Sequence, residues 1–293
     1  MSSLGISFTH GLGDLVQFVP ALRKFKQLNP TTGIVLLTMA RFSIAPLQLL
    51  SGLPYVEDFI PVLKDAWNDF PSYEEGCREI FEESKKIAIE AGIDQVILPI
   101  CPRPPLPYSF RHNKVIRFAE ELGVPYDREE DLHLELATKE SFRTMARTLF
   151  DSRPRPARIL HRQAGNPPKD LFYEDTPDLL SFPGTLYEFG KDIKSLAPHH
   201  VPLGLPSMDF TKAAILECDE VIATDSIIMH ISFAFGKNTT AIFKKTPAVQ
   251  ACPLSPAIDR VAFGTGHPSL QDGLATVIED VREYLKNESS NRK

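Results

Sequence analysis

The first forty residues predict a strand, a helix and a second strand, in an order that few folds accommodate. Gly5–Phe8 is a short apolar stretch that predicts a buried strand, and Asp14 to Lys26 places its apolar residues on one helical face. Residues 33–38, with the sequence GIVLLT, predict a second strand, and its almost wholly apolar character suits a parallel sheet covered on both faces. Strand, helix and strand within so short a span form a βαβ unit. The chain therefore begins as an α/β protein.

The same alternation continues and then restarts after a proline-rich linker at residues 152–157. Further strands are predicted at 55–62, 94–100, 157–161, 185–190, 220–224 and 239–243. Further helices are predicted at 45–50, 74–92, 113–122, 139–150, 210–218, 227–235 and 270–285. We therefore expect an α/β fold with two Rossmann-like domains facing a central cleft, at 1–152 and 157–285, followed by a polar tail at 286–293. In such sheets, ligands bind outside the carboxyl ends of the strands.

Composition narrows the class of protein. The net charge of -6 gives no broad attraction to nucleic acid or to an anionic membrane. The four cysteines contain no CxxC pair, so neither a zinc framework nor a disulfide scaffold is indicated. The start has no signal-peptide pattern, and the apolar stretches are too short to span a bilayer. We expect a soluble cytoplasmic protein without stable membrane insertion.

The loop after the first predicted strand, HGLGD at 10–14, holds the first candidate for chemistry. Its glycines allow a sharp turn and the close approach of a substrate. Asp14 stands at the start of the predicted helix, where an acid commonly serves as a cap. The residues alone leave open whether Asp14 caps the helix or reacts. Val16 interrupts the dinucleotide pattern GxGxxG, so that fingerprint is weak.

A second loop follows the strand at 220–224. Asp225 and Ser226 come directly after it, and His230 falls on the same helical face as Ser226. A helix N-terminus offers free N–H groups and a positive dipole to a phosphate. The alternative is structural: Asp225 or Ser226 caps the helix and His230 is a hydrogen-bonded core histidine.

Two further loops are basic. The segment 161–170 carries His161, Arg162 and Lys169 directly after a predicted strand, and such groups suit a diphosphate. The alternative is a solvated basic loop. The sequence FKKTP at 243–247 repeats the pattern, with Lys244 and Thr246. His199 and His200 have no third ligand at metal spacing, and a surface loop is expected there.

Four stretches, in order, resemble a known family. These are GLGDLVQFVPALRKFKQLNP (11–30), LPYVEDFIPV (53–62), LHRQAGNPPKDLF (160–172) and the segment 204–243, which contains DSIIMH. They are similar to the heptosyltransferase-type glycosyltransferases, family 9 of the GT-B fold, whose most diagnostic segment is D-[ST]-G-x-x-H. The resemblance touches most of the chain in patches.

The resemblance implies a metal-independent, inverting transfer of a heptose-like sugar from a nucleotide-diphospho-sugar, often ADP-heptose, to an acceptor hydroxyl. Asp14 corresponds to the family's catalytic base and Lys169 to the lysine that neutralises the diphosphate. The candidate donor-binding residues are Gly13, Lys169, Met208, Asp225, Ser226, His230, Lys244 and Thr246. No cofactor is required, and the acceptor is a glycan, a lipid-linked sugar, a protein or a modified base.

The chain departs from the family pattern at two places. Ile227 replaces the usual glycine after Ser226, and FKKTP replaces the usual FGPT. Isoleucine crowds an approaching phosphate and does not readily take positive φ. One alternative is therefore a catalytically inactive relative that binds a nucleotide or nucleotide-sugar as sensor or scaffold. A glycosyltransferase acting on protein or on hydroxymethylated DNA bases is a second, and a Rossmann-type oxidoreductase a third.

Overall fold

The computed structural model describes most of the chain. The described residues are 2–66, 68–99, 113–126, 128–164, 169–171, 182–243, 251 and 261–263. The predicted helix at 270–285 and the predicted tail at 286–293 lie outside them.

The first half of the chain builds a four-stranded parallel sheet. Its strands are β1 (Ser3–Phe8), β2 (Gly33–Met39), β3 (Asp58–Val62) and β4 (Gln95–Ile97), in the order β3-β2-β1-β4. Its helices are α1 (Leu12–Leu28), α2 (Ala45–Leu50), α3 (Tyr73–Glu90) and α4 (Lys114–Glu121). The central strands are buried almost throughout, as in parallel sheets covered by helices on both faces.

The second half builds a six-stranded parallel sheet. Its strands are β5 (Ala157–His161), β6 (Thr185–Phe189), β7 (His200–Gly204), β8 (Glu220–Thr224), β9 (Asn238–Ile242) and β10 (Val261–Phe263), in the order β10-β9-β8-β5-β6-β7. Helix α6 (Met208–Glu217) joins β7 to β8, and α7 (Ile227–Ala234) joins β8 to β9. The prediction of an α/β protein is confirmed.

Two strands differ from the expectations. No strand was predicted at β10, and the predicted surface loop at His199 and His200 is wrong for His200. That residue begins β7 and is buried, and its Nε2 lies 2.9 Å from the Glu188 carboxylate on β6. The proline that follows at Pro202 is compatible with β7 because β7 is the edge strand of its sheet.

Helix α5 (Glu140–Asp151) carries the chain from the first sheet to the second and packs against the second. Its Arg143 and Arg147 contact Glu217 on α6, at 2.7 and 2.9 Å, and its Phe150 ring lies 4.8 Å from the Tyr187 ring. The apolar cores of the two halves are continuous with each other.

The two halves also meet through polar contacts between α2 and α6. The Lys212 ammonium on α6 is fully buried and donates hydrogen bonds to the Leu49 carbonyl and to Ser51 Oγ, both at 3.1 Å. Ser51 Oγ in turn donates to Asp209, at 2.8 Å. Burial is the main cause that lowers the pKa of Lys212 to about 8, although Asp209 opposes it. These buried contacts join α2 of the first half to α6 of the second.

Candidate active site

Asp14 lies in the first turn of α1, at the carboxyl end of β1. The helix begins at Leu12, two residues earlier than predicted, so Asp14 is the third helical residue and Gly11 is the N-cap. Asp14 Oδ2 accepts a hydrogen bond from the Gly11 N–H, at 3.2 Å, which is half of a capping box. Asp14 Oδ1 accepts one from Lys114 Nζ, at 2.5 Å. The carboxylate thus caps its helix and also pairs with a cation.

The electrostatic surroundings of Asp14 keep it ionised. Burial by itself would raise the pKa of this carboxyl, but the charge and hydrogen bond of Lys114 outweigh burial and bring the pKa well below its usual range. Histidines at positions 10 and 230 face the same carboxylate and act in the same direction. The side chain of Asp14 keeps 17% of its surface exposed, so a ligand can reach it.

At Gly13 the two halves of the chain are in close contact. A Cβ added there would lie 2.7 Å from His230 Cδ2 and 3.7 Å from the Ile227 backbone nitrogen, both on α7. The N-terminal ends of α1 and α7 therefore face each other directly. One turn further along α1, the buried Gln17 has its Nε2 3.0 Å from the ring nitrogens of His230.

Asp225 and Lys169 form an ion pair on the side of the second sheet. Lys169 Nζ lies 2.6 Å from Asp225 Oδ2, and His230 Nε2 lies 3.8 Å from Asp225 Oδ1. Burial would raise the pKa of Asp225, but Lys169 and the other nearby cations lower it. The Thr224 hydroxyl donates a hydrogen bond to the Lys169 carbonyl, which ties the lysine loop to the end of β8.

Ser226 and the two histidines of the site are arranged around the start of α7. Ser226 is the N-cap, but its hydroxyl makes no capping bond and instead shares a hydrogen bond with His161 Nδ1, at 2.9 Å. Burial is the main cause that lowers the pKa of both His161 and His230 to about 4. Both rings are therefore uncharged at neutral pH and can take part in hydrogen bonds without adding charge.

Arg162 has a different position from the one that a basic phosphate loop implies. Its Nε donates to the fully buried Glu188 carboxylate at 2.8 Å, and one terminal nitrogen donates to the Leu171 carbonyl at 3.1 Å. The guanidinium thus fixes both ends of the segment that carries Lys169. Arg162 therefore holds in place the segment that carries Lys169.

Ile227 is the first residue of α7 and does not have positive φ. The helix therefore starts here without a glycine, and the steric objection to isoleucine at this position concerns only the space available to a ligand. Met208 is the first residue of α6, and its backbone N–H donates to Gln48 Oε1 of α2, at 3.1 Å. Lys244 and Thr246 lie outside the described residues.

Three residues of the site were not predicted: Lys114, Gln17 and His10. His10 Nε2 donates to the Pro99 carbonyl at 2.9 Å, and His10 Nδ1 lies 2.8 Å from the Tyr73 hydroxyl. The only local signal for Lys114 is that it opens a helix following a strand whose end faces the same cleft.

Among the described residues, no three histidine, cysteine or acidic side chains converge as a metal site would require. None of the described helices is both long enough and apolar enough to cross a membrane.

Two parallel sheets whose carboxyl ends face one cleft define a two-domain α/β fold of the GT-B type. The expected GT-B fold is therefore confirmed, and so is the resemblance to family 9 of the glycosyltransferases. No protein-family model matches the sequence, and no curated protein matches it in sequence. The likeness thus comes from comparison of structures.

Three solved structures illustrate the likeness. The glycosyl transferase family 9 from Veillonella parvula DSM 2008 has a TM-score of 0.63 and 15% identity, covering 99% of this chain and 97% of that one. The E. coli ADP-heptose lps heptosyltransferase II has a TM-score of 0.62 and 19% identity, covering 98% and 99%. The E. coli heptosyltransferase WaaC with ADP has a TM-score of 0.56 and 12% identity, also covering 98% and 99%.

Proposed function

We propose that this protein is an inverting glycosyltransferase that moves a sugar from a nucleotide-diphospho-sugar to an acceptor hydroxyl. Asp14 is the base, and no metal is required. One observation carries the proposal: two helix N-termini face each other across the cleft, one with the Asp14 carboxylate and the other with the Lys169–Asp225 pair. Under this proposal the Asp14 carboxylate receives a proton, while Lys169 and the start of α7 stabilise the departing anion.

The reaction would use these groups as follows. Asp14 takes the proton of the acceptor hydroxyl as that oxygen attacks the anomeric carbon. The bond from the anomeric carbon to the diphosphate oxygen breaks, and the diphosphate keeps the electron pair. Lys169 and the first N–H groups of α7 stabilise the charge that develops there. Asp225 holds Lys169 in place at 2.6 Å.

An ADP-sugar is the donor that we favour. Two of the similar structures are described with ADP or with ADP-heptose, although their identity to this chain is low. Met208 would lie against the nucleotide base, and Gly13, which has no side chain, would let the donor come close to the α1 backbone beside the contact with α7. A heptose-like sugar is proposed on the same ground, and the acceptor is left open between a glycan, a lipid-linked sugar, a protein and a modified base.

The competing proposal is a relative that binds a nucleotide-sugar but does not turn it over. Ile227 motivates it, because this side chain stands at the N-terminus of α7, where the diphosphate would approach. Under this proposal the Lys169–Asp225 pair serves binding alone. Replacing Asp14 would then leave all measurable behaviour toward the donor unchanged.

Donor binding and turnover separate these proposals. The purified protein is heated with ADP-, GDP-, UDP- and CDP-sugars, with and without EDTA, and then assayed for donor hydrolysis or transfer. A donor should raise the melting temperature equally in EDTA. Asp14→Asn should bind the donor normally and lose about 100-fold or more in rate, the typical contribution of a general base. Lys169→Ala should lose affinity for the donor.

Exposed residues supply matched controls. Asp58→Asn on β3 and Lys86→Ala on α3 remove the same charges far from the site and should behave like the unaltered protein. If no nucleotide diphosphate or its sugar stabilises the protein, the glycosyltransferase proposal is wrong. If Asp14→Asn turns the donor over at the original rate, Asp14 is a cap and not a base. Loss of binding in EDTA would refute metal independence.

A further inference from the structure

Lys114 is held at a defined place beside Asp14 by the packing of α4. The preceding Asn113 is buried, and its Oδ1 accepts the Val115 N–H at 3.0 Å, which caps the helix. Phe118, one turn further along, has its ring 5.0 Å from that of Phe18 on α1. The backbone of Lys114 is therefore fixed relative to α1 without any help from its own ammonium group.

A lysine at this position opposes the local electrostatics of its own helix. Lys114 is the first residue of α4, where the positive end of the helix dipole disfavours a cation. Its ammonium lies instead 2.5 Å from Asp14 Oδ1, with only 18% of the side chain exposed. Since α1 and α4 are already joined by buried rings, the ion pair is not needed to dock these helices.

The second oxygen of Asp14 is also engaged, since Oδ2 accepts the Gly11 N–H at 3.2 Å. The plane of the carboxylate is therefore fixed at both oxygens. The other charged or titratable groups that face it come from different elements: His10 from the loop after β1, Tyr73 from α3 and His230 from α7. Among the contacts of Asp14 with the described residues, that of Lys114 combines a hydrogen bond with an ion pair.

We propose that Lys114 is the positioning residue of the base: it fixes the Asp14 carboxylate in one orientation and keeps it ionised until the acceptor hydroxyl transfers its proton. This inference rests on the proposed function. The proton of the acceptor hydroxyl moves to Asp14 and then to solvent, while Lys114 stays an ammonium throughout. Without Lys114, the pKa of Asp14 would rise, because burial raises it and the largest opposing contribution would be lost.

The test compares Lys114→Met, which removes charge and donor, with Lys114→Gln, which keeps a donor, and Lys114→Arg, which keeps both. Lys86→Met on the exposed face of α3 is the control. Hydrolysis of the stabilising nucleotide-sugar is measured from pH 4.5 to 9, together with its affinity. We expect Lys114→Met to bind the donor normally and to lose about tenfold or more in kcat. Its activity should fall off at a higher pH on the acid side, and Lys114→Arg should restore the original profile.

Carboxyl carbon NMR supplies a readout that does not depend on turnover. The Asp14 signal is assigned through Asp14→Asn, and its titration is followed in the full chain with and without Lys114. Titration at a clearly higher pH in Lys114→Met or Lys114→Gln supports the inference. Equal titration, or an unchanged acid limb, overturns it. If no donor binds the unaltered protein, the proposed function fails, while the NMR titration still decides whether Lys114 controls Asp14.

Discussion

Gly13 supplies the sharpest test of the close contact between the two halves. Gly13→Ala adds one methyl group at a position where the nearest heavy atom, His230 Cδ2, lies 2.7 Å away. The ring of His230 is buried, and it is held by Gln17 on one side and approached by Asp225 on the other. It therefore has little room to move away.

Three contributions determine the change in the free energy of unfolding. Alanine is favoured over glycine within a helix by roughly 0.5–1 kcal/mol, which would stabilise the variant. Inserting a methyl group into a closely packed interface costs about 1–3 kcal/mol. Displacing the His230 ring would also weaken its hydrogen bond to Gln17, which contributes about 1 kcal/mol. We therefore expect the free energy of unfolding to fall by about 1–3 kcal/mol.

Urea unfolding followed by circular dichroism measures this change, and donor affinity is measured beside it. Gly11→Ser is the matched control, since its Cβ would make only ordinary contact with Asp14 Oδ2 at 3.6 Å and serine is a favoured N-cap. We expect the control to be as stable as the unaltered protein or slightly more so. A Gly13→Ala protein that gains stability and binds the donor unchanged would show that α1 and α7 are not in contact here.

Three further predictions concern buried charge. Lys212→Met should lower the free energy of unfolding by about 3–5 kcal/mol, because Asp209 loses its buried partner. Since the pKa of Lys212 is lowered to about 8 in the fold, its contribution to stability rises with pH between about 8 and 10.5, and urea titrations should show that slope disappear in the variant. The pKa of His161 is lowered to about 4 in the fold, so the residue takes up a proton on unfolding and its contribution to stability falls as the pH drops from 6.5 to 4. His161→Asn should flatten this decline in stability. An unchanged slope of stability against pH would contradict the prediction. Arg162→Met leaves the buried Glu188 without its guanidinium and should cost about 3 kcal/mol or more in thermal or urea unfolding, whereas the exposed Arg78→Met should cost almost nothing.

Local patterns were sufficient for most of the elements but not for their partners. The strand and helix around HGLGD are predictable because burial and helical periodicity act on neighbours in sequence. The same holds for β8 and α7 with Asp225 and His230. The β7 strand was not predictable, since His200 and Pro202 weaken its pattern and it is stabilised by pairing with β6 and by Glu188.

In the candidate site, too, local patterns predict the residues but not the partners that they contact. Loops that end strands bring Asp14 and Asp225 to one cleft, which the topology of parallel sheets already implies. Lys114 reaches Asp14 from 100 residues away in sequence, and no periodicity encodes such a pairing. The sequence left two positions open for Arg162: beside the diphosphate, or in a solvated loop. It is instead buried against Glu188, because a guanidinium next to a carboxylate in the interior pairs with it.

The two acids that face each other across α1 and α7 each have a lysine from their own half of the chain, Lys114 for Asp14 and Lys169 for Asp225. Each pair is close to neutral, and His230 between them is uncharged at neutral pH. Among the described residues, the mouth of the cleft therefore has little net positive charge. It would attract an anionic ligand mainly through directed hydrogen-bond donors and helix N-termini. Long-range attraction is screened by salt over about 10 Å, while short directed contacts are screened far less. The contribution of these described groups to the binding of a doubly charged diphosphate should consequently change little between dilute buffer and physiological ionic strength.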